Sequence, residues 1–292
     1  MTSPQVPVDK LEQALDKALE RPGVGGWAGR NAAKRRGPSL VDPSKVQEVA
    51  FGERQLRRSK VVAQIAEQGS APLGQHRAVE AFRMVRTRAV HALDAADGRA
   101  QVVAVTSPRQ GDGKTLVSIN LAIGIARQPH RHVLLIDGDL RRPGIAKALG
   151  LQPSLGFSDY LSGAASLEEA AVAAPGGRLF IVPQVKAVGH SSELLANGVL
   201  AGLAKTVQRK HPDWTVVIDC PPILAVDDTL VIMRAAEKAV LVVREGRTRR
   251  SEMRRAAQAI GHEKYLGTIL NDSRASASQG HQYYYDYGYE SR

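Results

Sequence analysis

Two patterns of apolar positions alternate along the chain from residue 101 onward. Short, β-branched runs at 101–106 (QVVAVT), 132–139 (HVLLIDGD), 179–183 (LFIVP), 215–219 (TVVID), 239–244 (AVLVVR) and 265–271 (YLGTILN) have the length and composition of buried strands. Between them, 116–127 (LVSINLAIGIAR) and 192–211 repeat apolar residues at helical spacing, and 156–167 reads as a loop with a short helix. Strands alternating with helices predict an α/β fold, a mostly parallel sheet with helices on both faces.

Upstream, residues 76–93 (HRAVEAFRMVRTRAVHAL) predict a helix whose buried face is Phe82, Val85, Ala89 and Leu93. Glu80, Arg83 and Arg86 form a slanting stripe beside that face; by spacing alone it is a solvated surface. Residues 9–20 (DKLEQALDKALE) predict a short amphipathic helix stopped by Pro22-Gly23, which either docks on a partner or covers a patch of the chain's own core. Residues 23–45 have a flexible composition, rich in Gly, Pro, Ala and Arg, and 45–68 show a weaker helical tendency. The expected division is an extension at 1–75, a catalytic domain at 76–273 and a tail at 274–292. The tail opens on the small, polar RASASQG and closes on HQYYYDYGYESR, where Tyr283, Tyr284, Tyr285, Tyr287 and Tyr289 are five of the chain's seven tyrosines. A terminal run without aliphatic residues has no core to build. It is either a partner-binding aromatic tail or a set of phosphate acceptors.

Length and charge narrow the choices. At 292 residues the chain suits one α/β domain with extensions, and a formal charge of +11 points to an anionic partner. The single cysteine, Cys220, excludes an intramolecular disulfide and suits a reducing cytoplasm. No apolar run is long enough for a membrane span and no leader-like segment opens the chain, so membrane association is expected through a partner or a surface patch.

The chemistry concentrates at 107–115 (SPRQGDGKT), a turn between a predicted strand and a predicted helix. A Gly-containing turn opening a helix on Gly-Lys-Thr is a P-loop: amides and helix N-terminus cradle phosphates, the Lys reaches the β- and γ-phosphates, and the Thr hydroxyl ligates Mg²⁺. These roles fall on Gly111, Asp112, Gly113 and Lys114 as the amide cradle, on Lys114 as the cation and on Thr115 as the metal ligand. Leu116 completes the nucleotide-binding stretch. The usual first Gly of the motif is Pro108 here. Two later strands end in carboxylates: Asp137 and Asp139, followed by Arg141-Arg142-Pro143, and Asp219, followed by Cys220-Pro221-Pro222. Open parallel sheets place their chemistry at this edge. Asn271, ending the last strand, is either a reader of the adenine edge or a plain surface residue.

Together these motifs resemble the bacterial tyrosine kinases (BY-kinases) of exopolysaccharide and capsule assembly. The resemblance spans about residues 76–292 and rests on the P-loop, on Asp137-Gly-Asp139-Leu-Arg141-Arg142-Pro143, on Asp219-Cys-Pro-Pro, on Glu80-x-x-Arg83-x-x-Arg86 and on the terminal tyrosines. It implies a P-loop NTPase fold with a Par/Min-like core that binds ATP and Mg²⁺. Lys114, Asp137, Asp139 and Asp219 would form the catalytic group, with Asp137 or Asp139 as base and Thr115, Asp137 and Asp219 around the metal. The five tail tyrosines would be acceptors, phosphorylated in trans within a homo-oligomeric ring. Glu80, Arg83 and Arg86 would lie at subunit contacts, which reverses the reading from spacing alone. The resemblance also implies control of polysaccharide polymerisation and export, with a separate transmembrane activator or chain-length regulator and a protein-tyrosine phosphatase as partners. Nucleic acid is not expected. The chain looks like the stand-alone cytoplasmic form, held peripherally at the inner face of the plasma membrane, and its extension is similar to that of kinases from exosortase-linked loci. Gln110 and Pro108 depart from the family's usual loop residues.

A rival with the same core is the Par/Min-type positioning ATPase, a dimerisation switch on DNA or membrane. Those proteins place a signature Lys five residues before the P-loop Lys, where this chain has Arg109. They place Gln where this chain has Arg141, and they lack a terminal tyrosine cluster.

Overall fold

The computed structural model describes residues 41–61, 76–95 and 102–273, all within the compact unit Pro38–Arg292. The helix expected at 9–20, most of the composition-biased stretch after it and the tail at 274–292 lie outside the described residues.

Eight strands form one sheet: β1 (Gln47–Glu48), β2 (Val102–Thr106), β3 (His132–Asp137), β4 (Val172–Ala173), β5 (Leu179–Val182), β6 (Trp214–Asp219), β7 (Lys238–Arg244) and β8 (Tyr265–Asn271). Their order is β1-β4-β5-β3-β6-β2-β7-β8. From β5 to β8 all neighbours are parallel, while β4 runs antiparallel to β5 and parallel to β1. The six longer strands are those expected; the two-residue edge strands carry too little periodicity to register.

Strict alternation along the central strands feeds two separate cores. Val102, Ala104, Leu134, Ile136, Val216 and Ile218 face one side, and Val103, Val105, Val133, Leu135 and Val217 face the other. Burial on both faces explains why these strands read as continuous apolar runs. The second face is covered by α1 (Glu53–Arg58), α2 (His76–Ala95), α3 (Lys114–Ala126) and α4 (Ile145–Leu149). Its opposite is covered by α5 (Phe157–Ser162), α6 (Leu167–Ala170), α7 (Ser191–Leu195), α8 (Val199–Lys210), α9 (Asp228–Ala235) and α10 (Arg250–Ile260).

Two expectations change. The single helix predicted over 192–211 breaks at Asn197-Gly198, where Gly198 takes a left-handed φ of 88° and the Asn197 side chain leaves the helix pattern: Nδ2 donates across to Leu161 O of α5 at 2.6 Å and Oδ1 accepts from Val199 N at 2.9 Å. The extension expected up to residue 75 is also not separate over its described part. Val41 lies in the first core, Leu56 and Val61 are fully buried in the second, and β1 pairs with β4. The compact unit thus begins well before the catalytic domain read from sequence.

Replacing Leu56 by Ala leaves a cavity under α1 and is expected to destabilise the unit by about 2–5 kcal/mol. Chemical denaturation followed by circular dichroism measures this; unchanged stability would return residues 41–61 to the status of an appendage.

Candidate active site

Three adjacent strands in the order β3-β6-β2 bring the site together. β2 feeds the P-loop, and Asp137 pairs in register with Asp219, which pairs in turn with Val105. All three motifs therefore meet at the C-terminal edge of the sheet, as the sequence places them.

The loop is built by local bonds. Ser107 Oγ donates to Arg109 O at 2.6 Å, Asp112 Oδ2 accepts from Arg109 N at 3.1 Å, and Gly113 takes a left-handed conformation, φ 94°, as α3 begins. Gly113 is required twice over. Its φ disfavours any side chain, and a Cβ there would lie 1.9 Å from Asn271 Nδ2. That same Nδ2 donates to Asp112 O at 2.9 Å. Asn271, a candidate for the adenine edge in the sequence, is placed as a clamp on the phosphate loop.

Lys114 opens α3 and is buried; its Nζ lies 2.8 Å from Asp139 Oδ2 and 4.0 Å from Asp219 Oδ1. Burial works against its charge, but Asp219 and Asp139 outweigh burial and hold the ammonium above the ordinary lysine range. Ser118, one turn along α3, donates to Asp219 Oδ1 at 3.1 Å. Asp137 Oδ2 accepts from the amides of Gly144 (3.0 Å) and Ile145 (2.9 Å), which fixes the carboxylate plane. Gly138 lets this turn lie against β6, since a Cβ there would meet Ile218 Cγ2 at 2.8 Å.

Asp137 and Asp219 are fully buried, and Asp137 Oδ1 and Asp219 Oδ2 have no hydrogen-bond partner among the described residues. Burial first, then the neighbouring Asp219 charge, push the Asp137 carboxyl up to about 8 against the two amides. Burial raises Asp219 as well, against the pull of Lys114 and Thr115. Two orphaned carboxylate oxygens with the Thr115 hydroxyl nearby are the hard-oxygen set that suits Mg²⁺, an ion held by one or two carboxylates together with phosphates. No group of three or more His, Cys, Asp or Glu forms a metal cage among the described residues. The residues present thus fit Mg²⁺ shared with a nucleotide.

Several contacts are absent from the sequence reading. Arg141 makes a two-pronged contact with buried Asp228 (Nε–Oδ2 3.2 Å, Nη2–Oδ1 3.1 Å), tying the turn after β3 to the start of α9. Arg142 pairs with Gln110, joining that turn to the P-loop. Arg244 Nη1 donates to Gly111 O at 3.3 Å, and Arg109 pairs with Glu252 on α10 at 2.6 Å. No motif spacing announces such partners, because they come from distant elements. Of the helix stripe, Glu80 and Arg83 pair with each other at 2.7 Å on the surface. Arg86 is set apart: its aliphatic stem lies against Gly124 of α3, and its Nε is buried without a partner among the described residues. The five tail tyrosines lie outside the described residues.

This fold and loop define a P-loop nucleotide-binding protein. Among solved structures, the kinase domain of Escherichia coli tyrosine kinase ETK is similar with a TM-score of 0.61 and 29% identity, over 71% of this chain and 83% of that one. The septum site-determining protein MinD from Pyrococcus horikoshii, complexed with Mg-ADP, has a TM-score of 0.51 and 26% identity, over 61% of this chain and 72% of that one. No family model matches the chain. Tyrosine-protein kinase YwqD from Bacillus subtilis is 31% identical over 207 residues, 70% of this chain and 85% of YwqD. Tyrosine-protein kinase ptk from Acinetobacter johnsonii is 31% identical over 242 residues, 82% of this chain but 32% of that longer protein. The chain belongs to the bacterial tyrosine-protein kinases. Among the described residues, no helix is long and apolar enough to cross a membrane.

Asn271→Ala removes the clamp on Asp112 O and is expected to weaken nucleotide binding by about ten-fold, the worth of one strong hydrogen bond. Titration with a fluorescent ADP analogue reads this directly. Unchanged affinity would show that the loop holds its shape without Asn271.

Proposed function

We propose that the chain is an ATP-dependent protein-tyrosine autokinase that phosphorylates Tyr283, Tyr284, Tyr285, Tyr287 and Tyr289 in trans within a homo-oligomer. Through that cycle it regulates polymerisation and export of an exopolysaccharide or capsule, beside a transmembrane activator and opposite a tyrosine phosphatase. The observation that carries the reading is the buried group of Lys114 with Asp137, Asp139 and Asp219 at the mouth of a P-loop.

ATP·Mg²⁺ supplies the transferable phosphoryl group and the charge that the orphaned carboxylate oxygens lack. The chain's own residues do the rest by position and electrostatics, which carry most of the catalysis in phosphoryl transfer. The amides from Gly111 to Lys114 hold the phosphate oxygens, and Lys114 neutralises charge that moves toward the β-phosphate. Asp139 is engaged by Lys114 and by the Arg142 amide at 3.0 Å. The Asp137 oxygen without a hydrogen-bond partner is left for the cation, and the tyrosine proton is assigned to this pair of strand-end carboxylates, Asp137 or Asp139. The phenolic oxygen then bonds to the γ-phosphorus as the β–γ bridging P–O bond breaks, leaving phosphotyrosine and ADP. Glu80, Arg83 and Arg86 are assigned to the subunit contact. The seat of Arg86 on α3 supports this, because it links that face to the phosphate-binding helix.

Lys114→Met is expected to lower phosphotyrosine by about 100-fold or more, with circular dichroism showing a folded chain. Mixed with a copy whose five tail tyrosines are Phe, the Lys114→Met chain should nevertheless acquire phosphate, which mass spectrometry assigns to one copy or the other. Phosphate absent from the mixture would refute transfer in trans. Phosphotyrosine absent under all conditions, with salt-sensitive binding to random DNA, would favour the positioning-ATPase reading.

A further inference from the structure

The loop after β7 and the first turns of α10 carry five exposed arginines: Arg247, Arg249, Arg250, Arg254 and Arg255. On the helix, Arg250, Arg254 and Arg255 stand on the side opposite Ala256 and Ile260, which anchor α10 in the first core. None of these three guanidinium groups has a partner among the described residues. Glu252, the only acid of α10, is turned to Arg109 at 2.6 Å, so the outward face carries no negative charge. Arg250 and Arg254, four apart, are a like-charge pair that weakens the helix, a cost that an anionic surface laid on this face removes.

Apolar side chains are exposed on the same face. Of the three large apolar residues exposed among those described, Met253 is 37% exposed and Leu270 55% exposed. Met253 lies on α10 between Arg250 and Arg254. Leu270 pairs in register with Val243, whose side chain belongs to the core beneath α10, so Leu270 stands on the α10 face of the sheet. It does so on β8, the last strand of the sheet.

We propose that this face of α10, with Leu270 beside it, docks on a bilayer containing anionic lipid. A run of arginines on an amphipathic helix meets anionic headgroups, and apolar side chains at the same level enter the boundary below them. A nucleic acid or a phosphorylated peptide would satisfy the arginines but leave Met253 and Leu270 in water, so the mixture of charge and apolar surface favours lipid. Glu252 and Arg109 tie α10 to the phosphate loop, and Arg244 joins its preceding loop to Gly111. A chain docked this way holds its nucleotide site close to the bilayer, where the inner segments of a membrane-spanning partner end. The surface patch acts without such a partner, and the docking does not depend on the autokinase reading.

The test uses the full chain, treated with a tyrosine phosphatase, in co-sedimentation with vesicles. Vesicles of phosphatidylcholine and phosphatidylglycerol are expected to bind it, with an affinity that falls as salt is raised, and vesicles of phosphatidylcholine alone are not. Changing Arg250, Arg254 and Arg255 together to Ala should weaken binding by about 100-fold, with affinity for a fluorescent ADP analogue retained. Changing the same three to Lys should keep it. Lys205→Ala, Arg209→Ala and Lys210→Ala on α8 remove the same charge from another exposed surface and should leave vesicle binding in place. No binding to the phosphatidylglycerol vesicles, binding that survives the three Arg→Ala changes, or an equal loss in the α8 variant overturns the docking face and leaves the kinase reading standing. A face that ignores vesicles but binds a phosphotyrosine peptide of residues 280–292 overturns it too, in favour of tail capture.

Discussion

One ammonium and three carboxylates share a space almost closed to water, and this arrangement constrains the rest of the site. Burying charge is costly unless it is matched. Lys114 matches one carboxylate well, Asp139, and lies near another, Asp219, at 4.0 Å. Asp137 is steadied by two backbone amides and, less directly, by the Lys114 charge. The remaining negative charge asks for a further cation, and the loop amides facing it ask for an anion. A magnesium nucleotide answers both needs at once. The site is therefore organised for a ligand that carries both signs of charge, which is why its own residues do not neutralise one another.

Holding those groups in place draws on elements far apart in the chain. Asn271 and Gly113 shape the loop from β8, Gly138 brings the paired aspartates against β6, and Arg141 fixes their turn to α9 through Asp228. The helices in front of β2 are joined to the same region. Arg86 lies on α3 at Gly124, and α1 reaches α4 through Gln55. A change in α2 or in the segment around residue 55 thus acts on the phosphate-binding helix through direct packing.

Much of this was legible in the sequence. Strands buried on both faces print continuous β-branched runs, and the three carboxylate and lysine motifs sit at strand ends because the chemistry needs that edge. What escaped has physical reasons. β1 and β4 are two residues long, too short for a period. Leu56 stands alone among Gln and Arg, and Val61 opens an apolar run of three residues, too short to show a period, so neither announces its burial. α10, with Ala256 and Ile260 as its buried residues, reads as a charged stretch. Asp228 carries no mark in the chain that it will bond Arg141, eighty-seven residues away. Asn271 was noticed for its strand-end position, and only geometry shows that its amide is directed to the loop.

The central claim is that the carboxylates are left incomplete for a cation arriving with phosphates. With the Asp137 carboxyl pushed up to about 8, it carries its proton at pH 7 in the metal-free chain, and a bound cation must displace that proton. Titrating Mg²⁺·ADP into the nucleotide-free chain by calorimetry, in buffers of differing ionisation enthalpy at pH 7, counts the protons released. The account predicts a release approaching one proton, which falls as pH rises through 8 and is lost in Asp137→Asn. Binding without proton release, or release unchanged in Asp137→Asn, would contradict it.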